Sequence, residues 1–156
     1  MTNKTFLLIN RKSGKALQSL GIENGVAVEQ SQVNYCDAQL WSKATISKSS
    51  FKLVNKATDK VLDVMYNGTV NGTWTHTWED VNGPSQEWRF DKASRGFRKI
   101  VNVTSEKVLD IHELSVSNGA VAQLWEDVNG ENQEWKIVEY PAPAKRISAK
   151  KIKTAI

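Results

Sequence analysis

The sequence predicts an all-β protein made of three copies of one four-stranded unit, and three observations carry this. Trp41, Trp88 and Trp135 recur at a 47-residue step, each two positions after a glutamine (Gln39, Gln86 and Gln133). The pairs Asn24-Gly25, Asn71-Gly72 and Asn118-Gly119 recur at the same step. Between them lie short apolar or β-branched segments ending in turn residues, with no helical periodicity before the final sixteen residues. Self-similarity at a fixed period marks one supersecondary unit repeated. Units that cannot each bury an apolar face must close on one another. The expected architecture is twelve strands about a threefold axis, a barrel closed by a hairpin cap. Trp41, Trp88 and Trp135 then occupy equivalent core positions, and Gln39, Gln86 and Gln133 satisfy backbone groups between strands.

The elements of each copy follow in order. Residues 6–10, 51–55 and 97–102 read as opening strands, each running into a turn at 12–14, 57–59 and 104–106. A second strand is expected at 15–17, 60–64 and 107–111. The Asn-Gly pair comes next, a turn signal because both residues tolerate positive φ. A third strand is expected around 27–30, 74–78 and 121–125, and a fourth at each Gln-x-Trp. From Gln18 to Asn24 the first copy takes six steps, where Asp63 to Asn71 and Asp110 to Asn118 take eight. A gap confined to a loop is tolerated variation.

Residues 1–140 are expected to form one domain, with copies at about 5–45, 50–92 and 96–138, followed by a Pro/Lys-rich tail at 141–156. The whole chain carries a net charge of +4, but the tail holds five cations and no acid, so the rest sums to −1. The main domain therefore has no basic face by count, and no nucleic-acid partner is expected. The tail reads as a Pro-Ala spacer with a cationic arm, disordered or in contact with a partner subunit, which makes a homodimer one candidate assembly. Cys36 is the single cysteine, so no internal disulfide and no multi-cysteine metal site is expected. It reads as a partly buried, inert thiol. No cofactor is implied. No apolar stretch is long enough to span a membrane, and 6–9 is too short for a signal-peptide core. The expected location is cytoplasmic, or outside the cell by a route other than a classical signal peptide.

Three Gln-x-Trp copies at this spacing, with Leu-Asp before the Asn-Gly turn and Gln-Leu-Trp after it, resemble the ricin-B type (R-type) lectin family. The resemblance covers residues 5 to about 138 and implies the β-trefoil fold and carbohydrate binding. The paired cysteines of many members are absent here.

A pyranose has an apolar C–H face and a rim of hydroxyls. It is held by an aromatic ring, a carboxylate and amides. The resemblance implies the full set in the third copy: Asp110, Gln123, Trp125 and Asn132, with Gln133 beside Asn132. His112 reads either as a rim residue or as a solvated loop residue. In the second copy Asp63 and Trp78 persist, His76 replaces the glutamine and Ser85 the asparagine, next to Gln86. A weaker or differently selective site is expected there. Trp74 either widens that second surface or packs. Asp80, Asn82, Asp127 and Asn129 either rim the sites or serve turn chemistry. The first copy has Gln18, Glu29, Ser31 and Ala38 at the four positions and is expected not to bind. Joint loss of carboxylate, ring and amide where the scaffold persists argues that the three serve one purpose. The implied partners are glycans, with galactose or N-acetylgalactosamine favoured over xylan or mannose. No phosphate loop, metal cluster or nucleophile setting appears, so catalysis is not expected. The rival to sugar binding is a protein-interaction module on the same fold.

Overall fold

The computed structural model describes residues 4–144. Its twelve strands form one antiparallel system: β1 Phe6–Asn10, β2 Ala16–Ser19, β3 Val26–Ser31, β4 Trp41–Thr45, β5 Phe51–Asn55, β6 Val61–Val64, β7 Thr75–Trp78, β8 Trp88–Lys92, β9 Arg98–Asn102, β10 Val108–Ile111, β11 Ala122–Trp125 and β12 Trp135–Glu139. Strands β1, β4, β5, β8, β9 and β12 pair in a closed ring, which is the barrel. The other six make three hairpins, β2–β3, β6–β7 and β10–β11. The hairpins meet one another through β3–β7 and through the bridges Glu29–Val121 and Trp74–Gln123. The fold is all-β, a β-trefoil.

The barrel closes because each unit contributes the same apolar set. Trp41, Trp88 and Trp135 are fully buried in one core with Leu17, Leu62, Leu109, Leu53 and Ile100. Each indole N–H donates to the carbonyl of the leucine in its own copy's second strand: Leu17, Leu62 or Leu109, at 3.0, 2.9 and 3.1 Å. A buried indole keeps its apolar area only if that N–H is satisfied. The glutamine of each Gln-x-Trp sits at the end of a short 3₁₀ turn (Asp37–Gln39, Pro84–Gln86, Glu131–Gln133). Its side chain is buried and bonds the loop before it. Gln86 donates to Glu79 O and accepts from Val81 N; Gln133 does the same with Glu126 O and Val128 N. These glutamines therefore fasten the loop that follows each aromatic ring.

The copies also lock to each other. The Asn-Gly turn of one copy clasps the third strand of the next. Asn24 Oδ1 accepts from Glu79 N, Asn71 Oδ1 from Glu126 N and Asn118 Oδ1 from Gln32 N, at 2.8–2.9 Å. Gly25, Gly72 and Gly119 donate to Thr77, Leu124 and Gln30 from backbones at φ of about +90°, where a side chain is strained. Buried Asn10, Asn55 and Asn102 end the opening strands. Their amides donate to the carbonyls of Asn132, Ala38 and Ser85.

Three expectations are corrected. Trp74 lies outside β7 and meets Gln123 of the third copy as an isolated bridge. Phe97 lies outside β9, in the preceding turn. Cys36 is exposed. It precedes a 3₁₀ turn at the surface, where the other copies have Gly83 and Gly130. Among the described residues no helix is long and apolar enough to cross a membrane. The basic arm from residue 145 onward lies outside the described residues.

Candidate binding sites on the second and third copies

The cap hairpins put each carboxylate position directly opposite its amide position. Asp110 pairs with Gln123, Asp63 with His76 and Gln18 with Glu29. Side chains of directly opposed strand residues stand on the same face. Two residues further along each third strand, on that same face, comes the ring position.

In the third copy a cavity of about 400 Å³ is lined by Asp110, His112, Gln123, Trp125 and Asn132, with Glu113, Leu114 and Val128 at its edge. Trp125 is 36% exposed and leans over Gly72 of the preceding copy, where an added Cβ would lie 3.8 Å from the ring, an ordinary contact. Asp110 is 5% exposed. Its Oδ1 accepts from Gln123 Nε2 at 3.1 Å and its Oδ2 from Gln133 Nε2 at 2.9 Å. A carboxylate has about four acceptor positions, so these two hydrogen bonds leave one unfilled on each oxygen. Burial pushes the Asp110 carboxyl above its ordinary value, while the Gln133, Gln123 and Asn132 amides and His112 pull against it. Asn132 also donates to Ile111 O at 3.1 Å. His112 lines the same cavity; its Nδ1 lies 3.0 Å from Gln123 Oε1, which orients that amide with its NH₂ toward Asp110.

In the second copy a larger cavity, about 590 Å³, is lined by Asp63, His76, Trp78 and Ser85 together with Met65, Tyr66, Asn67, Val81, Val64, Asn24 and Gly25. Asp63 is more fully occupied than its counterpart. Its Oδ1 accepts from Ser85 Oγ at 2.6 Å and from Val64 N at 2.8 Å, and its Oδ2 lies 3.1 Å from His76 Nε2. Only Oδ2 has acceptor capacity left. Burial works to raise this carboxyl, but the His76 and Ser85 hydrogen bonds prevail and hold it below its ordinary value. Ser85 Oγ is also 2.7 Å from the Asn67 amide oxygen position. One hydroxyl proton serves one acceptor, so the Asn67 amide is oriented with its NH₂ toward Ser85. His76 stacks on Trp78 with ring centroids 5.2 Å apart.

The first copy reverses the polar pair. Gln18 stands on β2 and Glu29 on β3, 3.4 Å apart, and Gln18 Oε1 accepts from Gln39 Nε2 at 3.1 Å. Ser31 and Ala38 stand at the other two positions, so this copy lacks the indole and the asparagine of the third.

Of the eleven expected site residues, nine line the two cavities and two stand behind them. Gln86 and Gln133 are buried against the loops, and Gln133 reaches only the far side of Asp110. Asp80, Asn82, Asp127 and Asn129 line neither cavity. They hold Lys52 and Lys99 across the loops, with Asp80 and Asp127 2.8 and 2.6 Å from those ammonium groups. Trp74 also lines neither cavity. Sequence reasoning missed Met65, Tyr66 and Asn67, which lie just past Asp63 in the loop, and the Asn-Gly clasp. The clasp's signal was present, because Asn24, Asn71 and Asn118 recur in register.

The chain belongs to the ricin-type β-trefoil lectin domain-like family, whose model matches residues 1–78 and 84–154. Among solved structures it is similar to a designed threefold-symmetric protein, ThreeFoil, with 31% identity over 86% of this chain and 97% of that one and a TM-score of 0.84. It also resembles an exo-β-1,3-galactanase from Clostridium thermocellum, at 28% identity and a TM-score of 0.85, covering 89% of this chain but only 30% of that one. The Macrolepiota procera ricin B-like lectin, solved in complex with lactose, shares the fold at 20% identity, with a TM-score of 0.77 over 92% of this chain and 98% of that one. No curated protein matches the chain.

Proposed function

We propose that the protein is a carbohydrate-binding lectin that holds terminal galactose or N-acetylgalactosamine residues in the third copy and, more weakly or with other selectivity, in the second. The carrying observation is the convergence of Asp110, Gln123, Trp125 and Asn132 on one open cavity, with an unfilled acceptor position on each carboxylate oxygen. A galactose-type ring has adjacent hydroxyls for those acceptors and an apolar face for the indole. A neighbour solved with lactose supports this choice of sugar.

Each site alone is weak. A few charge-assisted hydrogen bonds and one ring contact must offset rigid-body entropy. The expected dissociation constant is about 10 µM to 1 mM per site, or roughly −4 to −7 kcal/mol. Two sites on one chain, and more in a homodimer, raise the effective affinity for multivalent glycans. Catalysis has little support, since the aspartates of the two sites, Asp63 and Asp110, line separate cavities.

A glycan array with wild type, Asp110→Ala and Asp63→Ala tests the reading. Galactosides should dominate the wild-type signal, with most lost in Asp110→Ala and less in Asp63→Ala. An array blank for galactosides, mannosides and xylosides alike would refute it and favour a protein-interaction module.

A further inference from the structure

The second cavity is half as large again as the third, about 590 against 400 Å³, although it carries the less complete set of sugar-reading groups. The extra room is bordered by the turn Met65–Asn67. Tyr66 in that turn has φ of 55° and is 99% exposed. A large aromatic that packs against nothing yet borders a cavity has no structural duty there. The third copy makes the same turn at His112–Leu114, with Glu113 at φ 54° in the place of Tyr66 and Leu114 in the place of Asn67. The backbone device is therefore shared, and what it presents differs. In the second copy the turn carries a phenol at the border of the cavity that Trp78 also lines; in the third it carries a carboxylate.

Asp63, His76 and Trp78 occupy the part of the cavity that takes a terminal pyranose. Tyr66 lines the same cavity from the turn that follows β6, and that cavity exceeds the third copy's by about 190 Å³. We propose that the second site binds an oligosaccharide of at least two residues, with the terminal sugar on Trp78 and Asp63 and the next sugar's apolar face on Tyr66. The third site takes the terminal residue alone. This rests on the lectin reading and assigns the two copies different glycan lengths.

Calorimetry on an Asp110→Ala background isolates the second site. Galactose, lactose and a linear tetrasaccharide ending in galactose are the probes. The expected result is that Tyr66→Ala weakens the best-bound of the two longer sugars about fivefold, the worth of one ring contact, and galactose by less than about twofold. Tyr66→Phe should keep the preference and Tyr66→Glu should abolish it. Glu113→Tyr on an Asp63→Ala background should confer it on the third site. An unchanged melting temperature in Tyr66→Ala confirms that only the surface changed. Equal losses for galactose and the longer sugars, or no loss for either, overturn the proposal. So does an Asp110→Ala protein that binds no sugar, even if wild type still binds galactose through Asp110. That last outcome leaves the lectin reading standing, whereas a wild-type protein that binds no sugar removes both.

Discussion

The second and third copies share the loop Trp-Glu-Asp-Val-Asn-Gly, at 78–83 and 125–130, and nearly the same hairpin. The pKa values of their carboxylates nevertheless shift in opposite directions. Asp63 accepts from Ser85, Val64 and His76 and lies below its ordinary pKa. Asp110 accepts from two amides, keeps an acceptor position on each oxygen, and lies above its ordinary pKa because burial outweighs those bonds. A carboxylate satisfied by its own protein has less left to offer a ligand. On the proposed reading, keeping the aspartate and the tryptophan does not by itself keep an equal site, because the groups that replace glutamine and asparagine fill more of the carboxylate's acceptor positions.

The largest effect should leave the two copies indistinguishable. Trp88→Ala and Trp135→Ala each remove a buried indole and its hydrogen bond, and each should cost about 3–5 kcal/mol in urea denaturation. A large inequality between them would show that the scaffold, and not only the sites, differs. Next, Asp110→Ala should weaken galactose binding at the third site by about 2–3 kcal/mol, or roughly 30- to 150-fold. Asp63→Ala should cost the second site less. Ser85→Asn should move the second copy toward the third. It releases Asp63 Oδ1 from the short hydroxyl bond and restores the missing amide, for a gain of about 1 kcal/mol, or fivefold, measured on an Asp110→Ala background.

The smallest effect is in pH. Because the folded-state value of Asp110 is raised, its charge opposes folding at neutral pH. That opposition is relieved as the pH falls through the raised value. Because that of Asp63 is lowered, its contribution to stability is present above the ordinary carboxylate value and is lost as the pH falls through the lowered one. Sugar binding needs the charged form, so on acidification the third site should lose galactose at a higher pH than the second. Titrations of the two single-site variants between neutral and acid pH should show that order, and the reverse order would remove the electrostatic contrast.

Most of the frame could be read from the chain because a triplicated signal repeats its own evidence. One Gln-x-Trp says little, but three in register place a core, and the pairing of Asp110 with Gln123 and of Asp63 with His76 follows from hairpins around a known turn. What could not be read depends on contacts between copies. Trp74 read either as widening the second surface or as packing, and the threefold closure sets its backbone against Gln123 of the third copy. Asn24 and Asn71 looked like local turn residues, yet their side chains clasp the next copy's loop. Tyr66 gave no periodic signal, since no other copy carries an aromatic there, and its place at the cavity rim depends on a left-handed turn. Cys36 was expected to be partly buried on the general habit of cysteine, but it is exposed, at a position before a 3₁₀ turn where the other copies have glycines.

Counting bound sugars tests the central claim most directly. Titration of the wild-type protein with a galactoside, read by calorimetry at high protein concentration, should give two sites per chain. Asp63→Ala and Asp110→Ala should each leave one, and the double variant none. Saturable binding that survives in the double variant, or three equivalent sites in the wild type, would contradict the account.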